Sequence, residues 1–205
     1  MRLFAKLMRP FLGVAASVTL MSVTTPLSAD GFHYQIQAAT KLVGDPASQL
    51  QAIDMVWTYD PELAAILLED EDLSAANKAA TLKQRASDIL VDLFKLGYFS
   101  QLTVDGQALS FNEVQDYSMV LNPDQSMSLS FQVPLKAPIA VAGKKISLSL
   151  ADPDGVATVF YKNAQDASLD EALSKICSTP SLSKVTNDMP NDHKIDVPTA
   201  QTECK

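Results

Sequence analysis

Thiols, imidazoles and clustered bases are the scarce groups in this chain. Its 205 residues hold two cysteines and two histidines, and one of those, His193, sits in a polar tail. Nucleophilic catalysis needs a nucleophile beside its base, and acid–base catalysis needs a paired acid and base. No such set is evident, so no enzyme is expected. No CxxC occurs, which weakens any thiol-redox reading. Lys and Arg number 16 against 24 Asp and Glu. That acidic balance argues against nucleic acid, whose phosphates require clustered bases. Beyond the first residues no apolar run reaches the ~20 residues of a membrane span, and no internal repeat is evident.

The opening residues read as a secretory leader: Arg2, Lys6 and Arg9, then the apolar "FLGVAASVTLM", then "PLSA" ending in small residues. The expectation is a leader over 1–29, cut after Ala29, and export to the periplasm. Losing three bases and no acids moves the formal charge from −8 to −11. In an oxidising compartment Cys177 and Cys204 are expected to form a disulfide, worth roughly 3 kcal/mol by closing a loop. Residues 30–177 then make one domain, and 178–205 a polar tail tied back by that bond. The tail is rich in Pro, Asn, Asp, Ser and Thr, and reads as burying too little apolar surface to order itself.

Period-two alternation dominates the domain. "FHYQIQAATKLV" puts Phe32, Tyr34, Ile36, Ala38 and Leu42 on one face and His33 on the other. After a "GDP" turn, Ile53, Met55, Trp57 and Tyr59 alternate, predicting a hairpin. Asp60 and Pro61 read as N-cap and first helical residue. A short helix precedes the acids Glu69 to Asp72. A longer one follows, with Leu82, Ala86, Ile89, Leu93 and Leu96 at helical spacing, stopped by Gly97. Strands resume through "SMSLSFQVPL", "KISLSL" and "ATVFYK", and "NAQDASLDEALSKIC" reads as a short helix. The predicted class is α+β: an antiparallel sheet or sandwich of about seven strands, with one short and one long helix packed on it. Trp57, Tyr59, Tyr98 and Phe99 read as core at the seam of strand and helix, and secondarily as a ligand pocket.

Several stretches in shared order resemble an exported bacterial family, domain of unknown function 1007: "VWTYD" at 56–60, "LLED" at 67–70, "GYF" at 97–99, "VDG" at 104–106, the "F.VPL..P" pattern at 131–138, and Asp152 with Pro153. The resemblance implies the periplasmic component of an ABC-type metal transport system, handling a divalent cation such as zinc or nickel beside a membrane permease. Relatives open with His-Pro-His and carry a DxDxDG-like acidic loop. This chain has "GFH", leaving His33 alone, and Gln37 where Asp is usual. One imidazole is short of the three or four ligands zinc takes.

Taken as a calcium-type loop, Asp70, Asp72 and Ser74 suit positions one, three and five. Ala75 replaces the turn glycine, however, and Thr81 replaces the bidentate glutamate. The other reading is a charged junction, with Asp72 or Ser74 capping the second helix and its dipole contributing roughly 0.3 to 1 kcal/mol. Two functions follow. One is a metal-uptake accessory protein binding a cation (zinc or nickel before calcium) through His33, Asp70, Glu71 and Asp72. The other is a metal-independent module that binds a transporter or envelope partner.

Overall fold

The computed structural model describes residues 34–188 and 194–205. The expected leader, its cut after Ala29, and both histidines, His33 and His193, lie outside the described residues.

Alternation places the first strands as expected. β1 (Tyr34–Gly44) and β2 (Gln49–Tyr59) form an antiparallel hairpin, with Ala38 opposite Trp57 and Leu42 opposite Ile53. The alternating apolar side chains therefore share one face, and Ile36, Ala38, Leu42, Ile53, Met55, Trp57 and Tyr59 are all buried. Asp45 holds the turn by accepting the N–H groups of Ala47 and Gln49 at 2.9 and 2.8 Å. β5 (Tyr117–Leu121), β6 (Met127–Ala140) and β8 (Ala157–Phe160) complete a sheet ordered β5-β6-β2-β1-β8, and β9 (Ala167–Leu169) lies along the far half of β1.

The second sheet is ordered β10-β11-β7-β3-β4: β3 (Ser100–Val104), β4 (Gln107–Ala108), β7 (Lys145–Leu150), β10 (Ser181–Asp188) and β11 (Lys194–Glu203). Both sheets contribute to one apolar core, the arrangement of a sandwich. In β6, Met127, Leu129, Phe131, Val133 and Leu135 all point inward, as do Ile146, Leu148 and Leu150 of β7. The class is broadly α+β, two sheets with few helices.

Three features of the sheets differ from expectation. Eleven strands stand among the described residues where about seven were predicted. β4 is the two-residue return of a turn through Asp105 and Gly106, whose φ of 50° and 79° fit a type I′ hairpin. Second, β1 pairs with β8 and β9 in parallel. The chain reaches β8 by crossing from β7 in the other sheet, so no hairpin dictates its direction. Asp152, 4 % exposed, knits that crossing by accepting N–H groups from Asp154, Val156 and Ala157 at 2.8 to 2.9 Å.

Third, residues 178–188 and 194–205 contribute two antiparallel strands, with β11 lying between β10 and β7. Thr199 and Thr202 are buried there because their hydroxyls find Ser149 and Ser178 at 2.8 and 3.2 Å. The expected Cys177–Cys204 disulfide is present.

Two helices follow the Tyr59 end of the β1–β2 hairpin, while a third lies at its Gly44 end. α1 (Pro61–Leu67) starts as predicted at Asp60, whose carboxylate accepts the Leu63 N–H at 2.8 Å. α2 (Lys78–Lys95) buries Leu82, Ala86, Leu90 and Leu93. Leu96, assigned to that stripe from spacing, is 37 % exposed because the chain turns away after it. Gly97, Tyr98 and Phe99 carry φ of 62°, 55° and 51° in succession. Left-handed backbone costs about 1–2 kcal/mol per non-glycine residue, offset here by burying two aromatic rings. The stretch read as one helix near the C-terminus reduces to α3 (Glu171–Ser174), capped by Asp170.

Because the disulfide closes the loop that contains β10 and β11, the double variant Cys177→Ser with Cys204→Ser is expected to lose about 3 kcal/mol of unfolding free energy in urea. An unchanged unfolding midpoint would show that the bond does not restrain the unfolded chain.

Candidate functional site

The four acids join α1 to α2, and each has its own surroundings. Glu69 and Asp70 are exposed, Asp70 in a left-handed turn at φ 62°. Glu71 turns back to α2, where its Oε1 lies 2.6 Å from Arg85 Nη2. Asp72 serves the loop itself: Oδ1 accepts the Ser74 N–H at 2.9 Å, and Oδ2 accepts the Asn77 side-chain amide at 2.5 Å. Its carbonyl accepts the Thr81 hydroxyl at 2.9 Å. The N-cap of α2 is Asn77, with no side-chain capping bond, so neither Asp72 nor Ser74 caps the helix as expected. Asp72 instead braces the turn one step earlier.

Asp70, Glu71 and Asp72 are thus neighbours in sequence whose carboxylates have separate roles. Among the described residues no group of three or more His, Cys, Asp or Glu is placed to hold a metal ion. Cys177 and Cys204 are consumed by their disulfide. Asp60 is engaged as the α1 cap.

The aromatic seam is core, as the first reading had it. Trp57 stacks on Phe99 with ring centroids 5.6 Å apart and meets Phe131 edge-on at 5.4 Å. Tyr98 packs against Phe94, Phe111 and Phe131. Its hydroxyl accepts the Val114 N–H at 2.9 Å, anchoring the loop before β5. Burial pushes the Tyr98 hydroxyl pKa up. The Trp57 indole nitrogen is buried without a partner among the described residues.

Sequence reasoning missed two surface grooves. One, of about 200 Å³, runs between α2 and the loop before β5, lined by Leu90, Val91, Phe94, Tyr98, Val114 and Tyr117. The other, of about 480 Å³, lies between β8 and the β10–β11 strand pair. Neither has a local signature, since each joins segments far apart in the chain. Tyr98, read secondarily as part of a ligand pocket, lines the first.

Fold and site together define a two-sheet sandwich with few helices. Residues 17–201 match a family described as "Protein of unknown function (DUF1007)", and the chain belongs to it. No curated protein matches the chain. A crystal structure of AChBP from Bulinus truncatus is similar at 11 % identity, over 86 % of this chain and 90 % of that one, with a TM-score of 0.42. No described helix is long and apolar enough to cross a membrane.

The Asn77 amide first, and then Ser74, hold the Asp72 carboxyl below its usual range. A folded-state pKa below the unfolded value means that the stabilisation is present above about pH 3.9 and is lost as pH falls through the lowered value. Asp72→Asn is therefore expected to flatten that acid limb of the melting temperature between neutral pH and pH 2. A limb unchanged in slope would mean that Asp72 does not brace the loop.

Proposed function

We propose that this chain is an exported, periplasmic interaction module that binds a transporter or envelope partner and needs no metal to do so. The observation that carries the reading is the commitment of the acids: Glu71 is paired with Arg85, and Asp72 is held by Ser74 and Asn77. A cation arriving there would have to displace bonds that already satisfy those oxygens. Binding rather than catalysis is also the work suited to exposed grooves lined by apolar side chains. The disulfide fits residence in an oxidising compartment.

A second reading rests on the resemblance set out above: delivery of zinc or nickel beside a membrane permease or ABC transporter subunit. With Glu71 and Asp72 engaged, its remaining candidate contacts are His33 and Asp70, the latter an exposed carboxylate.

Calorimetric titration of the chain from Asp30 with zinc, nickel and calcium separates the two. The interaction reading predicts no binding tighter than millimolar, and the same trace for His33→Ala. Micromolar binding abolished by His33→Ala would overturn it in favour of metal delivery.

A further inference from the structure

The two sheets do not end together. β8 faces β11 across the core, and β8 is the last strand of its sheet on that side. The opposite sheet continues one strand further, to β10. Leu182 pairs with Ala200 and Lys184 with Pro198, while Ala200 pairs with Leu148 of the core face. Leu182 and Lys184 therefore lie on the inward face of β10, where no strand of the first sheet stands opposite them. The 480 Å³ groove occupies that place.

Its lining has the form of a strand position. Four consecutive residues of β8 and its exit, Thr158, Val159, Phe160 and Tyr161, line one wall, so the wall is the edge of the strand rather than one of its faces. Among the described residues nothing pairs with β8 on the side away from β1. The other wall is apolar, from Leu182 and Pro198, and its charges are internally balanced by the Lys184–Asp196 pair at 2.5 Å. Tyr161 is fixed by its hydroxyl bond to Thr40 at 3.0 Å.

We infer that the groove takes an extended segment of a partner protein, which adds as a strand to the free edge of β8 and lays alternate apolar side chains over Leu182 and Pro198. This rests on the interaction reading above and names its surface. Strand addition supplies backbone hydrogen bonds for affinity and side-chain pockets for specificity. The formal charge of −11 on the chain from Asp30 sets two copies of it against each other, so the segment belongs to another protein and carries basic rather than acidic flanks.

The test uses a synthetic peptide alternating valine and threonine with a lysine at each end, titrated into the isotopically labelled chain from Asp30. The expected result is amide shift perturbation along residues 157–160 and at Leu182. Binding should weaken at least tenfold when alternate peptide nitrogens are methylated, when the end lysines become aspartates, and in the Leu182→Glu variant. Val185→Glu, on the opposite face of β10, should bind as the parent does and controls for folding. Equal binding of the methylated peptide would overturn strand addition. Perturbation confined to Val91 and Phe94 would overturn this surface while leaving an interaction module in place. No perturbation at millimolar peptide would overturn the inference without touching the metal titration.

Discussion

The insertion of β11 between β10 and β7 is the constraint on which the second sheet depends. β11 supplies the neighbour that the inward face of β7 needs on one side: Ala200 and Thr202 stand beside Leu148 and Ile146. The disulfide fixes where that strand ends. Around it the Cys204 N–H reaches the Lys144 carbonyl at 2.9 Å, and the Lys205 N–H reaches Ile176 at 2.7 Å. A segment of mostly polar composition is thereby held in a sheet it has little apolar surface to hold by itself. The same insertion pushes β10 out past the edge of the other sheet and so creates the groove beside β8.

Strands whose one face is buried were legible, because burial on one side and water on the other write themselves as alternation. β1, β2, β6 and β7 were readable for that reason, down to the inward residues. The tail was not, because its buried positions include Thr199 and Thr202, which look polar until their hydroxyls meet Ser149 and Ser178. β9 was hidden differently: its pairing with β1 spans more than a hundred residues of sequence and leaves no local trace. Leu96 was misassigned because spacing alone does not reveal that three left-handed residues follow it.

The acid run shows how far a site can be read from composition. Its failure to match a calcium loop at Ala75 and Thr81 was visible in the sequence. The partners of those acids were not: Arg85 meets Glu71 because α2 returns past the loop, and Asn77 meets Asp72 through the turn at Ser74. Asp152 appeared only as half of a family motif. Its place as a buried carboxylate with three backbone donors emerges once the crossing between sheets is known.

Amide hydrogen exchange with the disulfide intact tests the central claim, that the C-terminal strand is an integral member of the second sheet. The account predicts that Ala200, Gln201 and Thr202 exchange as slowly as Ser147 and Leu148 of β7, in one cooperative unit. Exchange of those amides at the rate of an unstructured peptide, with β7 still protected, would contradict it.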